Sequence, residues 1–315
     1  MKTNGQIVNS NIQKSTIVTS MDGTALNYEQ VDAFTAMAYE SNNFLKGIRQ
    51  INRISSKGTI DKIGVTGRNL RSKKENVMAS NTAAPQFPQV PYAVEPVVLP
   101  FEITEEFIRQ TQRVRNQNAE EIIMAAMARN YGENMQDIGF NGDEATPNTD
   151  PDYEFLKLND GWLKIARTKG NYIDWKTLTD PQKKGVLFEV ERAIATRYRA
   201  GGTFKYFMHP NTFSKRLQKL AEKDTSASIQ LQITGGVKKV NSYDVEEVWS
   251  MPEGAILFTY HPNFAMVHTY DMQIRKTTEG KEAIYADKRF YAIHSDFDPI
   301  FEEPAAVAFV EGVEF

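Results

Sequence analysis

The feature that most constrains this chain is a long helical pattern running from Thr104 to Ile138. Thr104 can cap it, and Glu105 and Glu106 put negative charge in the first turn, where the helix dipole favours it. No proline interrupts it, and its one internal glycine is Gly132. Phe107, Thr111, Val114, Asn118, Ile122, Ala125, Ala128, Tyr131, Met135 and Ile138 recur every three or four residues, an amphipathic stripe of about ten turns. Gly139 stands where a C-terminal stop is expected. At the usual rise the stripe makes a rod of roughly 50 Å, far longer than the ordinary globular helix of about 11 residues. A coiled coil is disfavoured, because Thr111 and Asn118 interrupt the seam and it holds little leucine.

Upstream of the rod the chain is polar and unevenly charged. Residues 1–26 are rich in Asn, Ser and Thr and read as an arm. Residues 27–46 place Tyr28, Val31, Phe34, Ala38 and Phe44/Leu45 near helical spacing. The β-prone runs Ile48–Ile54 and Gly58–Val65 follow, and Val94, Val97, Val98 and Leu99 resume such a run. Between Thr66 and Pro91 almost nothing aliphatic is available to bury. Strands flanking so long a polar excursion predict a hairpin that projects from the core, and compact domains seldom carry one unused. From Lys46 to Lys74 there are nine basic residues and one acid, Asp61, about +8. From Asp296 to Phe315 there are six acids and no Lys or Arg. In a chain of net charge −3 this segregation suggests surfaces that meet each other or a partner.

Downstream, helices and strands come in separate runs, an α+β pattern rather than βαβ alternation. A turn-rich link at 140–147 leads to the segment 158–166. A helix is expected from Thr179, with Asp180 as cap and Pro181 at its first position, ending at Gly201-Gly202. Phe204–Met208 reads as a buried strand, and Asn211 caps a helix carrying Phe213, Leu217 and Leu220. Short strands are expected near 229–233, 245–249, 255–259, 264–268, 272–275, 283–286, 289–294 and 305–310.

Few chemistries fit. The chain has no cysteine, which removes disulfides, thiolate metal sites and cysteine nucleophiles. No apolar run of ~18 residues predicts a membrane span, and the N-terminus has no apolar signal region. Phosphate-cradling glycine motifs and the serine elbow G-x-S-x-G are absent. His209, His261, His268 and His294 lack metalloprotease spacing and read as structural. The acidic pairs Glu246-Glu247 and Glu302-Glu303 are adjacent in sequence, so on a strand their side chains point opposite ways and form no obvious dyad. No catalytic, cofactor-binding or metal site is assigned. Lys46–Lys74 holds no aromatic residue for stacking bases, which favours protein contact over base recognition.

The order of parts (N-arm, helix, projecting hairpin, very long helix, then an α/β region closed by a returning strand) resembles the major capsid protein of tailed bacteriophages, the Hong Kong 97-type fold. Phe140-Asn-Gly-Asp-Glu-Ala with Gly161-Trp-Leu-Lys-Ile-Ala looks like the family segment after the spine helix. Phe207-Met-His-Pro-Asn-Thr-Phe, Met251-Pro-Glu-Gly-Ala-Ile-Leu-Phe and Pro304-Ala-Ala-Val-Ala-Phe-Val are similar to family segments in the same order. Ser41-Asn-Asn-Phe-Leu-Lys-Gly-Ile and Lys62-Ile-Gly-Val-Thr-Gly look closer to the P2-like branch. The resemblance covers about residues 27–315.

The resemblance implies an N-terminal arm and helix at 1–45 and an E-loop hairpin at 46–96. It also implies a P (peripheral) domain from 97–178 and 283–315, with its spine helix at about 104–138, and an A (axial) domain at 179–282. It implies a non-enzymatic subunit of the virion, assembled in the host bacterial cytoplasm into hexamers and pentamers of an icosahedral head. That head encloses double-stranded DNA without sequence-specific binding. Scaffolding, portal and decoration proteins are the implied partners, with no membrane and no cofactor. Residues 1–26 are too short for a scaffolding segment, so a separate scaffold or an already processed chain is expected. Some members cross-link a hairpin lysine to a neighbour; Lys73 and Lys74 are suitably placed, but no motif identifies the other groups, and that chemistry is not carried over.

The charge segregation suggests that hairpin residues Arg68, Arg71, Lys73 and Lys74 lie over a neighbour's acids. Candidate acids are Glu102, Glu105 and Glu106 at the start of the spine and Asp298, Glu302 and Glu303 in the terminal segment. Two alternatives stay open: an encapsulin-like nanocompartment shell and a soluble α+β enzyme with an unrecognised site.

Overall fold

A computed structural model describes residues 34, 36–40, 42–62, 87–115, 119–199, 203–222, 238–269, 272–277 and 280–315. The long stripe forms helices Glu105–Arg115 and Ala119–Asn141, with 116–118 outside the described residues. The second helix runs through Gly139 instead of stopping there. A Cβ on Gly139 would lie 2.6 Å from the Trp162 ring, so this glycine is a packing requirement inside the helix. The stop is Gly142, whose N–H reaches the Ile138 carbonyl at 2.9 Å and which abuts the Asn159 backbone. Among the described residues no helix is long and apolar enough to cross a membrane.

The strands in chain order are β1 (Arg49–Asn52), β2 (Lys57–Asp61), β3 (Gln89–Ala93), β4 (Glu95–Thr104), β5 (Asn171–Asp174), β6 (Phe204–Met208), β7 (Lys239–Val240), β8 (Tyr243–Glu247), β9 (Ile256–Tyr260), β10 (Phe264–His268), β11 (Gln273–Thr277), β12 (Lys288–Phe301) and β13 (Ala308–Glu311). One sheet has five strands, in the order β1-β10-β12-β11 with β4 also on β12; a second has six, in the order β5-β13-β9-β6-β8-β7. β2 and β3 make a separate antiparallel pair, the base of the expected hairpin, whose residues 63–86 lie outside the described residues. Of the run Val94–Leu99, expected to be the hairpin's second arm, Glu95–Leu99 instead pairs antiparallel with β12, and only the Val94 N–H reaches back to the Ser56 carbonyl at 2.8 Å. The sheets interleave segments far apart in sequence: β5 and β13 lie in one sheet with β6 to β9, while β10 and β11 join β12 in the other.

Other expectations shift locally. Thr179, not Asp180, caps helix Asp180–Lys184, through a reciprocal box with Gln182. His209, not Asn211, caps Pro210–Ala221; its Nδ1 accepts from the Asn211 N–H at 3.1 Å. Residues 283–286 belong to a short helix, Lys281–Ala286, instead of a strand. Lys, Glu and two alanines favour helix there, and Asp287, with φ 49°, reverses the chain into β12. The strand expected at 229–233, the hairpin tip and residues 1–33 lie outside the described residues.

The core gathers where the long helix meets both sheets. The helix buries Ile123, Met124, Met127, Ala128, Tyr131, Met135 and Ile138. At its end Phe44, Phe140, Trp162, Phe207 and Phe264 form a ring cluster, with Phe44 4.9 Å from Phe140 and 5.1 Å from Phe264 between centroids. Trp162 Nε1 donates to the Ile300 carbonyl at 3.0 Å. A second cluster around Val190, Tyr206, Phe258 and Val310 fills the six-stranded sheet.

Candidate functional site

The sequence motifs around the end of the long helix are joints. Asn42 folds the turn before β1: its Oδ1 accepts from the N–H groups of Phe44 and Leu45, and its Nδ2 donates to Gln136 Oε1 on the long helix. Gln136 and Asn141 continue to Ser250 beside the six-stranded sheet. Gly161 N–H donates to the Gly142 carbonyl at 2.8 Å, and Lys164 Nζ bridges Asp143 (2.6 Å) and Asp160 (2.7 Å). The segments 140–145 and 161–166 thus clasp one another.

The histidines are placed in the same way. His261 stacks on Phe44 and reaches its carbonyl at 2.8 Å through Nε2. Its Nδ1 lies 3.2 Å from Glu246, which also meets Lys205 at 3.0 Å. Burial raises the Glu246 carboxyl, but these two hydrogen-bonded partners outweigh it and hold the group below the ordinary value. Glu247 pairs with Lys238, so the two adjacent acids serve different partners. His268 is half-buried between the Tyr39 hydroxyl (2.5 Å from Nε2) and the Asp296 carbonyl (2.9 Å from Nδ1), and desolvation of its ring lowers its pKa. His294 is exposed. Among the described residues no three His, Cys, Asp or Glu side chains converge as metal ligands.

The surface around the β2–β3 pair is better defined. The hairpin base is seated on the body at three points. Tyr92 and Val94 pack with Ala265, Val267 and Ile300. The Ala93 N–H donates to Asp298 Oδ2 at 2.8 Å, and Lys62 reaches Glu303 at 3.4 Å. A groove of about 470 Å³ between Tyr92, Ala93, Ile165, Lys169 and Asp298 runs under this seat. Burial there pushes the Asp298 carboxyl up to about 7, with the Glu144 charge adding to the rise against the hydrogen bonds from Ala93 and Asn159.

Of the acids singled out in the sequence, four already meet cations of their own chain. Glu102 pairs with Lys288 (2.8 Å), Glu105 with Arg289, Glu302 with Arg49 (2.6 Å) and Glu303 with Lys62. The Arg289 hydrogen bonds hold the Glu105 carboxyl below its ordinary value. Glu106 is exposed and accepts from Gln110 Nε2 at 2.9 Å. Arg68, Arg71, Lys73 and Lys74 lie outside the described residues. Sequence reasoning missed that Arg49 and Lys62, two of the nine cations in the basic stretch, are bound to the terminal acids. Charge counts carry no signal for that, because the partners are more than two hundred residues apart.

No protein-family model matches the chain, and no curated protein matches it. Solved structures do. A chain of the satellite phage P4 procapsid structure, which includes the size determination (Sid) protein, superposes with TM-score 0.72 at 16% identity, covering 100% of this chain and 98% of that one. A chain from the capsid of a native GTA particle gives TM-score 0.58 at 12% identity over 94% of each. One from Microbacterium phage Oxtober96 gives 0.54 at 12% over 93% of each. The chain has the Hong Kong 97-type fold of phage capsid subunits.

Proposed function

We propose that this protein is a major capsid protein that assembles with copies of itself into a closed icosahedral head around double-stranded DNA. The observation that carries the reading is that capsid chains from a phage procapsid and a GTA particle match it from end to end, so almost none of the chain is left over for another task. The physical design agrees. A long helix and five-stranded sheet make a plate, the β2–β3 pair is seated on the body at three points, and the polar contacts described above serve as joints. We assign the long helix and the five-stranded sheet to the P domain and the six-stranded sheet to the A domain, following the sheets and not chain position. The P2-like assignment rests on the segments at 41–48 and 62–67.

The inter-subunit contacts between the hairpin cations Arg68, Arg71, Lys73 and Lys74 and a neighbour's acids belong to this proposal. Among the described residues Glu106 and Asp298 are the candidate acids with no salt bridge to a cation, and of the two only Glu106 is exposed, which makes the start of the spine the favoured landing point. Exposed ion pairs contribute roughly 0–1 kcal/mol each, so they act through the number of copies in a shell. Scaffolding, portal and decoration proteins are the expected further partners.

The test is expression of the chain with and without a scaffold, electron microscopy of the product, and nuclease protection. Closed particles that protect DNA support the reading. Particles filled with protein favour a nanocompartment shell instead, and monomers under every assembly condition overturn the shell reading.

A further inference from the structure

The end of the five-stranded sheet carries two features that its own chain does not bring together. The first is a knob. In helix Lys281–Ala286 only Ala283 is buried, while Ile284 and Tyr285 are 66% and 88% exposed. Two large apolar side chains side by side at such exposure are unusual on a surface meant for water alone. The second is a groove of about 720 Å³ on the face of the same sheet. Residue pairing puts Pro100, Ala292 and Arg275 in one row across β4, β12 and β11, and Glu102, Phe290 and Thr277 in the next. These positions alternate with Phe101, Tyr291 and Lys276, so they share one side of the sheet. Its floor is apolar, from Pro100, Ala292 and Phe290, and its edges carry Arg275 and Glu102.

We propose that the Ile284–Tyr285 knob of one copy seats in the Pro100–Phe290–Ala292 groove of a second copy of this chain. This rests on the shell reading and names one of its contacts. Three observations select a second copy as the occupant. Knob and groove are complementary in character, aromatic and aliphatic against a floor without charge. The charges beside them also match: Glu282 flanks the knob and Arg275 edges the groove, while Glu102 at the other edge is held by Lys288 of its own chain. Both features sit at one end of the subunit, because the knob lies in the connection from β11 to β12, whose strands form the groove. Repeated in one sense the contact is head-to-tail, and it closes into a ring where the rotation between successive copies closes. Two side chains are too little for a stable dimer, which needs roughly 800 Å² per partner, so the contact acts as one element of a lattice.

The absence of cysteine makes the test direct. Tyr285→Cys and Ala292→Cys are made as separate variants, co-assembled and mildly oxidised, then run on a denaturing gel without reductant. A disulfide requires Cα atoms about 4.4–6.8 Å apart, so only seated neighbours cross-link. The expected result is a covalent dimer from mixed particles and none from particles of either variant alone. Independently, Tyr285→Ser should raise the concentration needed for assembly about tenfold while the free subunit keeps its unfolding midpoint. Mixed particles that form normally without cross-linked dimer, together with unchanged assembly of Tyr285→Ser, overturn the contact and leave the shell reading standing. Failure of the wild-type chain to form particles at all overturns the shell reading itself. A cross-link to an added scaffold or decoration protein, in place of the dimer, also overturns the second-copy assignment.

Discussion

Replacing Asp298 by Asn should make the isolated subunit more stable at alkaline pH. In the unfolded chain this carboxyl titrates near 3.8, and in the fold burial raises it to about 7. A folded pKa above the unfolded one means that the native state holds the proton more tightly. The stabilisation is therefore fully present below about pH 4 and is lost as pH rises through 7. The difference of about three units corresponds to roughly 4 kcal/mol between the two limits. Asn keeps a carbonyl oxygen to accept the Ala93 N–H, now 2.8 Å from Oδ2, and carries no charge to desolvate. At pH 8 the variant should exceed wild type by about 2–4 kcal/mol, and the gap should shrink to about 1 kcal/mol by pH 4.5. Urea unfolding of dilute, unassembled protein, followed by tryptophan fluorescence at several pH values, measures this as a double difference in which other titrating groups cancel. Hydrogen exchange at the Ala93 amide locates the effect in the hairpin seat, where wild type should lose protection between pH 6 and 8 and the variant should not. A wild-type–variant gap that stays constant from pH 4.5 to 8 would refute the reasoning, since Asp298 would then ionise without cost.

Four further outcomes follow from the packing and charge described above. Phe44→Ala opens a hole among Phe140, Trp162, Phe207 and Phe264 and should cost about 3–5 kcal/mol in urea unfolding. Gly139→Ala should destabilise by about 1–3 kcal/mol despite the better helix propensity, because the new methyl meets the Trp162 ring; Trp162→Leu should relieve most of that penalty. His268, whose pKa is lowered by burial, stabilises the fold fully above its unfolded value near 6.5, and that contribution falls away as pH drops below it. Unfolding midpoints of His268→Gln should accordingly fall less steeply than wild type between pH 6.5 and 5. Changing Arg68, Arg71, Lys73 and Lys74 together to Glu should block or weaken particle formation in low salt, and normal particles from that variant would remove the hairpin cations from the assembly contacts.

The parts of the fold that were legible in the sequence are those with a local period. The 3.6-residue stripe marked the helices Glu105–Arg115 and Ala119–Asn141 but misplaced part of their buried face, since Phe107 and Ala125 are exposed while Ile108, Ile123, Met124 and Met127 are buried; short apolar runs gave β6, β9 and β10 almost to the residue. Of the expected hairpin only the base is described, where β2 pairs with β3 and not with the following run. Where periodicity was weak, local chemistry misled: Ile284 and Tyr285 suggested a strand at 283–286, while the surrounding residues favour the short helix that exposes them. Gly139 looked like a helix stop, because nothing in a linear pattern announces that Trp162 will press against it.

The sequence by itself determined most of the segments that become helix or strand, and how charge is distributed along the chain, because these depend largely on neighbours within a turn or two. Only the tertiary structure decided what the charges do. Arg49 and Lys62 come to rest against Glu302 and Glu303, and Arg289 against Glu105. Asp298, counted as one more surface acid, is largely withdrawn from water beneath the hairpin. The physical reason is range. Propensity and periodicity are short-range properties of the chain, whereas Coulomb pairing and desolvation depend on distance in space. That distance is set only when β1 lies beside β10 and the terminal strands return between elements formed long before them.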